Sequence, residues 1–304
     1  MSCGNGISLS VGGLPFFVTP GPGFSANEKE WLLRLRCEAG EAPARSERPF
    51  RLDLVAVPPW TSADRSLFPD DRPARIEGHG RSVRISRSDF VAELDPGAAR
   101  GRLFRRDSGI AALQVALKTA MAARLPFEGG LPLHAVGVVR EGKGLVFFGP
   151  SGAGKSTLAG TSPFPVLSDE LVAIVRDDLF RARATGFWGT LDREEAPRGS
   201  HSVAALFELA KGPRLEIERL DPAAALRRLL GVVLVPPVKD VWSRVLGGLR
   251  ELVTRVPVYR LTWSIAEPPW AALGSVLPDD LDSDRPSPVR TSANRPVSGS
   301  CGWR

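Results

Sequence analysis

A glycine-rich segment at residues 149–156, GPSGAGKS, restricts the possible folds more than any other part of the sequence. Its spacing of Gly-x4-Gly-Lys-Ser is typical of a phosphate-binding loop, which follows a β-strand and opens a helix. Both neighbours are needed because the loop wraps an anion towards which the helix N-terminus directs free amides. The apolar run 145–148 supplies the strand, and Pro163 limits the helix to a short one. The segment therefore predicts an α/β fold.

The chemistry of nucleotide binding accounts for each residue type in this loop. Glycine lets the backbone approach phosphate oxygens without a clash from a Cβ atom. Lys155 is predicted to place its charge at the β- and γ-phosphates, the Ser156 hydroxyl to bind Mg²⁺, and Thr157 to support the α-phosphate. The predicted cofactors are ATP, or another nucleoside triphosphate, and Mg²⁺. The predicted nucleotide-binding residues are Gly149, Ser151, Gly152, Ala153, Gly154, Lys155, Ser156 and Thr157.

Two adjacent acids follow the loop. Asp169 and Glu170 lie 14 and 15 residues after Lys155, in an apolar stretch that predicts a strand over residues 166–175. Neighbouring side chains on a strand point to opposite faces, so the two acids are expected to do different work. We expect one to hold Mg²⁺ with Ser156 and the other to lie near an acceptor hydroxyl. The sequence leaves open which acid is the base.

The rest of the chain divides into three parts. Residues 1–106 contain short apolar runs cut by Pro and Gly, which predict a smaller β-rich region of unknown role. Residues 107–278 form the predicted nucleotide-binding domain, and residues 279–304 a disordered tail. The elements predicted within the domain are a helix capped by Asp107 and Ser108, a hairpin over 135–139 and 145–148, strands over 203–209, 215–220 and 258–264, and helices over 222–235 and 250–256.

Composition and charge narrow the functional classes. The net charge of +6 comes from 40 cations scattered among 34 acids, and this scatter argues against nucleic-acid binding. The chain has no apolar run long enough to span a membrane and no signal peptide, so we expect a cytoplasmic protein without a membrane partner. The three widely spaced cysteines, Cys3, Cys37 and Cys301, are expected to be reduced and without a role.

Several of these segments together resemble a known family. The stretches GGLPLHA at 129–135, GPSGAGKS at 149–156 and LSDELV at 167–172 are similar to the C-terminal domain of HPr kinase/phosphorylase and its bacterial relatives. That domain is itself similar to the nucleotide-binding part of phosphoenolpyruvate carboxykinase. The resemblance is good over about 107–175 and loose over about 181–270.

The resemblance implies a fold, an activity and site residues. In the family a histidine precedes the hairpin and a pair of acids follows the loop helix, and His134 and the pair Asp169 and Glu170 occupy those places. Lys155, Asp169, Glu170 and His134 are therefore the expected catalytic residues, and Ser156, Asp169 and Glu170 the expected metal ligands. Members transfer phosphate from ATP, or sometimes pyrophosphate, to a serine hydroxyl of a small carrier protein, and some relatives act on peptides. Family members are often oligomeric, which makes a homo-oligomer possible.

The sequence keeps three functions open. The first is an ATP-dependent Ser/Thr kinase-like phosphotransferase whose acceptor is a peptide or small protein. The second is a nucleotide-gated binding module without chemistry, and the third is a kinase for a small metabolite. Phosphorylase activity is not expected, because no segment resembles the family's glycine-containing signature for dephosphorylation. On its residues alone, His134 between Leu133 and Ala135 fits a core side chain as well as a site residue.

Overall fold

The protein, examined as a computed structural model, contains two β-sheets and a small number of helices. The structure describes residues 6–35, 48–56, 74–106, 109–191, 197 and 199–276. The predicted α/β class is confirmed at this level, because the second half of the chain contains both helices and strands. The predicted tail and the three cysteines lie outside the described residues. Within the described residues, no helix is both long and apolar enough to cross a membrane.

The first sheet has seven strands in the order β1-β2-β3-β7-β6-β5-β4. Its strand β3 pairs in parallel with β2 and β7, while the other pairs are antiparallel. Alternate side chains along most of these strands are buried on one face of the sheet and exposed on the other. The strands are β1 Ile7–Val11, β2 Leu14–Thr19, β3 Phe50–Ala56, β4 Arg75–His79, β5 Ser82–Arg87, β6 Phe90–Asp95 and β7 Arg100–Arg105.

The exposed face of this sheet carries a row of alternating charges. Five residues lie directly opposite one another on neighbouring strands, in the order Asp53, Arg102, Glu93, Arg84 and Glu77. One neighbouring pair, Arg84 and Glu93, approaches to 3.6 Å. Opposite charges at facing positions stabilise a sheet by about 0.2–1 kcal/mol per pair. The row therefore suits a sheet face that remains in water.

Helix α1, Ala26–Arg34, was not predicted from the sequence. Its N-terminus is a capping box in which the Ser25 hydroxyl accepts from the Glu28 amide and the Glu28 carboxylate accepts from the Ser25 amide. The Glu28 carboxylate is buried, and it also accepts from the Arg105 guanidinium at the end of β7 and from the Gly109 amide. One carboxylate thus joins α1 to the end of the first sheet and to the chain that leaves it.

The second sheet carries the glycine-rich loop and has nine strands. Its main path is β11-β9-β10-β14-β13-β12-β8, and β16 pairs with β14 and with β15. Strands β10, β14 and β16 are parallel neighbours. The strands are β8 Leu131–Leu133, β9 Ala135–Arg140, β10 Lys143–Phe148, β11 Val166–Ser168, β12 Val172–Arg176, β13 Phe180–Ala184, β14 Ser200–Lys211, β15 Glu216–Arg219 and β16 Val258–Trp263.

Four helices accompany the second sheet, and two of them differ from the prediction. They are α2 Ile110–Arg124, α3 Lys155–Gly160, α4 Pro222–Leu230 and α5 Lys239–Arg255. The helix predicted over 222–235 is shorter, because Gly231 ends it, and the helix predicted over 250–256 is the last part of α5. Helix α2 begins after Gly109, which provides no side-chain cap, and the predicted caps Asp107 and Ser108 lie outside the described residues.

The predicted hairpin is confirmed, but the strand predicted over 166–175 is wrong. The hairpin consists of β9 and β10, paired from Arg140 and Lys143 outwards. The stretch 166–175 instead contains two strands, and Asp169 and Glu170 lie between them. The chain turns there because the Ser168 hydroxyl accepts from the amides of Glu170 and Leu171. Because the two acids do not lie on a strand, the prediction that they point to opposite faces of one strand does not apply.

One buried apolar cluster extends through both sheets. It includes Leu9 and Val18 of the first sheet, Leu113 and Met121 of α2, and Leu206 of the second sheet. Helix α2 contacts β6 and β7 on one side and β8 on the other. A second, smaller cluster lies around α3. The second sheet is therefore covered on both faces, as its long apolar strands require.

Candidate functional site

The glycine-rich loop lies at an edge of the second sheet where three parallel strands end. Strand β10 leads into residues 149–156, which we call the 149–156 loop. The next strand, β14, ends at Lys211, and β16 ends at Trp263, and these two residues lie opposite each other. The C-terminal ends of strands β14 and β16 thus continue this edge on one side of the loop.

His134 and the acid pair continue the same edge on the other side of the loop. Strand β9 is antiparallel to β10, so His134 at its start lies beside the end of β10. Strand β11 is antiparallel to β9, so Asp169 after its end lies at this edge too. The order along the edge is therefore acids, histidine, glycine loop, and then the ends of β14 and β16. The loop occupies the centre of this row.

These segments line a cavity of about 1000 Å³ that is open to solvent. Every predicted site residue except Gly149 lines it, so the structure brings together residues up to 36 positions apart in the sequence. The lining residues are His134, Ser151, Gly152, Ala153, Gly154, Lys155, Ser156, Thr157, Asp169, Glu170, Gly189, Thr190, Lys211, Gly212, Trp263, Ser264 and Ile265.

The glycines of the 149–156 loop are required by backbone geometry and by space. Gly152 and Gly154 have φ angles of +78° and +96°, which residues other than glycine rarely adopt. A Cβ atom at Gly149 would lie 3.0 Å from the Cβ of Ala153. A Cβ atom at Gly154 would lie 3.2 Å from Cζ2 of Trp263, which packs against the loop from β16. Backbone geometry therefore favours glycine at 152 and 154, and a side chain at 149 or 154 would press against its neighbours.

Lys155 is folded back onto its own loop. Its Nζ atom donates to the carbonyl oxygens of Gly149, at 2.8 Å, and Pro150, at 3.1 Å. Burial lowers the pKa of the Lys155 ammonium below its usual value. Because its carbonyl oxygen accepts from Lys155, Gly149 contributes to the site although it does not line the cavity. The Ser156 hydroxyl, next to this lysine, has no hydrogen-bond partner among the described residues and faces the cavity.

Asp169 is bound by the short segment Gly189 to Leu191. Its Oδ1 atom accepts from the Gly189 amide at 2.7 Å. Its Oδ2 atom accepts from the amides of Thr190 and Leu191, at 2.9 and 3.0 Å, and from the Thr190 hydroxyl at 3.3 Å. Asp169 is only 3% exposed, so its negative charge is compensated mainly by these four donors.

Glu170 has a different environment, although it is the next residue. Its Oε1 atom lies 2.5 Å from the Nζ atom of Lys118 on α2. The Glu170 side chain is 28% exposed. The main-chain carbonyl of Glu170 accepts from Nδ1 of His134 at 2.8 Å. The acid pair is therefore connected to α2 through one acid and to the 189–191 segment through the other.

His134 is held in one tautomer by this contact. A carbonyl oxygen can only accept, so Nδ1 of the ring carries the hydrogen and Nε2 keeps a free lone pair. Loss of solvent at the cavity wall lowers the pKa of the His134 imidazole, and the positive charge of Lys155 lowers it further. The Glu170 carbonyl and carboxylate oppose this shift. His134 is therefore a neutral imidazole at neutral pH, available to accept a hydrogen bond or a proton.

The sequence analysis missed several residues of the site. Lys118 is the strongest case, because it comes from α2, far ahead of the loop in the chain. The sequence did hint at its role, because Lys118 is the only charged residue in α2 before Arg124. The lining residues at the ends of β14 and β16 gave no such sign. Their position follows from the strand order, which the sequence does not state.

The residues present fit a magnesium ion bound together with phosphates. Mg²⁺ usually binds one or two carboxylates, substrate phosphates and several waters rather than a protein cage. Among the described residues, no group of three or more His, Cys, Asp or Glu side chains could hold a metal ion. The Ser156 hydroxyl has no partner within the described ranges, and Oδ1 of Asp169 accepts one hydrogen bond and can accept another. These two oxygens suit such an ion.

The fold and the site together define a mixed α/β protein whose cavity lies at the ends of parallel strands, with a lysine-bearing glycine loop at its centre. Residues 105–278 match the family described as SynChlorMet cassette protein ScmC. The match covers more than half of the chain, and the protein belongs to this family. No match was found among curated proteins.

Proposed function

We propose that this protein is a Mg²⁺-dependent phosphotransferase with a phosphate-loop domain of the HPr kinase and phosphoenolpyruvate carboxykinase type. It would move the γ-phosphoryl group of a nucleoside triphosphate to a hydroxyl of a peptide or small protein. The observation that carries the proposal is the common cavity, in which Lys155 and its glycine loop face His134 and two carboxylates. A glycine turn with a structural role alone would require neither the lysine nor the acids.

The donor side of the reaction is assigned to the 149–156 loop. The first amides of α3 have no partner within the helix, and together with the loop amides they can donate to phosphate oxygens. Lys155 would exchange its bonds to the carbonyls of Gly149 and Pro150 for bonds to the β- and γ-phosphates. A partly buried ammonium interacts more strongly with an anion than an exposed one does.

The nucleoside and the γ-phosphate are assigned to opposite sides of the loop. The acids and His134 lie on one side, and a kinase needs such groups near its γ-phosphate. The nucleoside is therefore assigned to the other side, beside Lys211 and Ile265. Ile265 is 68% exposed at the cavity, which suits an apolar contact with a planar base.

The transfer step follows from this placement. The acceptor oxygen forms a bond to the γ-phosphorus while the bond from that phosphorus to the bridging oxygen breaks. The electron pair stays with the leaving diphosphate, and the hydroxyl proton passes to a base on the acid side. When bound, Mg²⁺ would neutralise charge on the β- and γ-oxygens. Ser156 and Asp169 would hold it, and Lys155 would stabilise the charge of the transferred group.

A second candidate is a nucleotide-gated binding module without chemistry. The observation that favours it is the Asp169 carboxylate, which already accepts four hydrogen bonds from the 189–191 segment. In such a module Asp169 would be a structural anchor, and nucleotide binding would change the shape of the cavity wall.

Calorimetric titration with MgATP, followed by a transfer assay, tests the proposal. We expect Lys155→Ala to weaken MgATP binding about 100-fold or more, because the variant loses its charge at the phosphates. Lys143→Ala is a matched control, since Lys143 lies at the opposite end of β10 and should leave binding unchanged. Folded parent protein that bound no nucleoside triphosphate would exclude both candidate functions.

The acid pair separates the two candidates. Parent protein should transfer labelled γ-phosphate from MgATP to serine- and threonine-containing peptides, as read by their mass. The double variant Asp169→Asn, Glu170→Gln should lose this transfer while it still binds nucleotide. Nucleotide binding without any transfer or hydrolysis in the parent would favour the binding module.

A further inference from the structure

The two adjacent acids of the site have unequal freedom to act on a substrate. A carboxylate offers about four positions for hydrogen-bond donors. Four donors already bond to the Asp169 carboxylate, three of them backbone amides that cannot move without the 189–191 segment. Within the described part of the chain, the Glu170 carboxylate has one hydrogen-bond partner, Lys118, which donates to Oε1, and its Oε2 atom has none. Asp169 therefore keeps one free position, at Oδ1, whereas Glu170 keeps a whole oxygen atom for a further group.

The main chain around Ser168 separates the two side chains. The Ser168 hydroxyl donates to the Phe187 carbonyl at 2.7 Å and accepts from the amides of Glu170 and Leu171. Ser168 is fully buried, so this turn is part of the protein core. As a result Asp169 is bound to the segment that follows Phe187, while Glu170 meets α2.

Lys118 is itself held in place. Its side chain is 18% exposed, and its Nζ atom lies 5.3 Å from the ring centroid of Phe187, which is 1% exposed. A half-buried ammonium over an aromatic face is fixed by a cation–π contact as well as by its ion pair. Because α2 is packed between the two sheets, the position of the Lys118 ammonium is set by the core of the molecule.

We propose that Lys118 is the positioning residue of Glu170, and that Glu170 rather than Asp169 receives the acceptor hydroxyl. This inference rests on the proposed phosphotransfer. The acceptor O–H donates to the Glu170 carboxylate, and its oxygen then forms the new bond to the γ-phosphorus. The bond to the bridging oxygen breaks with its electron pair on the diphosphate, and the hydroxyl proton passes to Glu170. Asp169 orders the 189–191 wall and keeps one oxygen position for the cation.

The division of roles predicts opposite patterns for activity and stability. Glu170→Gln should lower kcat for phosphate transfer from MgATP to the peptide pool about 100-fold. Lys118→Met should lower kcat about tenfold and leave the Kd for MgATP unchanged. Asp169→Asn should be the variant that loses thermal stability, because it exchanges a buried charge for an amide among four donors. Lys118→Arg should recover kcat to within about threefold of the parent.

A double-mutant cycle separates positioning from a merely structural role. If Lys118 acts through Glu170, the double variant Lys118→Met, Glu170→Gln should be no slower than Glu170→Gln alone. Fully additive losses, or a kcat unchanged in Lys118→Met, would overturn the inference. So would an Asp169→Asn protein that kept its stability and lost more kcat than Glu170→Gln. Failure of the proposed function is distinguishable, since the parent would then bind no MgATP or transfer no phosphate.

Discussion

Gly154 and Trp263 illustrate how single residues set the shape of the loop. Gly154 has a left-handed backbone and lies against the indole of Trp263, which comes from a strand more than a hundred residues later. The Nε1 atom of Trp263 is buried and has no hydrogen-bond partner within the described part of the chain. A buried donor without a partner normally costs about 1–3 kcal/mol. An unsatisfied polar group thus lies directly beside the loop.

His134 gives a pH-dependent prediction at the same scale. Its pKa is lowered in the folded protein, first by loss of solvent and then by Lys155, so the unfolded chain binds this proton more readily. Protonation therefore disfavours the folded state, and stability is lost as the pH falls below about 6.5, the usual value of histidine. Above that pH this contribution is absent.

Nuclear magnetic resonance titration checks this directly, because the chain has only three histidines. One imidazole signal should titrate below the usual histidine range, and it should be missing in His134→Gln. Urea unfolding at pH 8 and pH 5 should show that the parent loses more stability on acidification than this variant. An equal loss in both proteins would contradict the lowered pKa.

The residues that the sequence identified are those whose role depends on local spacing. The loop residues 151–157 were predicted because phosphate binding needs glycines, a lysine and a hydroxyl in fixed order along the chain, and the structure places them on one cavity. Lys118 was not predicted, because its pairing with Glu170 depends on how α2 packs. A charged residue in an apolar helix signals a partner but does not name it.

At the level of elements, the order of strands decides which loops share the cavity. Strands β10, β14 and β16 run in parallel, so the segments after all three meet at one edge. The hairpin of β9 and β10 was predictable because its turn and apolar runs are continuous in the sequence. The separation of β11 from β12 was not, because it depends on hydrogen bonds of the buried Ser168 hydroxyl.

The proposed position of the nucleoside, beside β14 and β16, predicts different effects on ligands of different size. Tripolyphosphate could fill the proposed phosphate positions of the 149–156 loop but has no nucleoside. We therefore expect Ile265→Asp to weaken MgATP binding about tenfold, because a charged side chain replaces the apolar contact, and to leave tripolyphosphate binding unchanged. Calorimetric titration of both ligands measures the difference.

Two comparisons control this experiment. Lys155→Ala should weaken the binding of both ligands, because it removes charge from the proposed phosphate positions themselves. Ile265→Val keeps an apolar surface and should resemble the parent. If the parent bound MgATP and tripolyphosphate equally well, the ends of β14 and β16 would make no nucleoside contact.

At the scale of the whole molecule, the β-rich N-terminal part and the part that carries the site share one core. The turn between β1 and β2 lies against the second sheet, where a Cβ atom on Gly12 would be 2.7 Å from the Cβ of Ala173. The buried carboxylate of Glu28 joins α1, β7 and the start of α2. The sequence indicated a boundary near residue 106, because the local patterns change there, but local patterns do not report which surfaces are buried against each other.

This shared core predicts that the two sheets unfold together. Leu52 is fully buried in β3 of the first sheet, far along the chain from the 149–156 loop. Leu52→Ala should lower the free energy of unfolding by about 2–5 kcal/mol. Hydrogen exchange of backbone amides should become faster by the same factor in β3 and in β10, since both would open in one cooperative transition. Leu179→Ala, at a side chain that is 49% exposed, should leave the exchange rates of both strands measurably unchanged. Two independently folded domains would instead give faster exchange in β3 while β10 kept its protection, and nucleotide binding would then survive the loss of the first sheet.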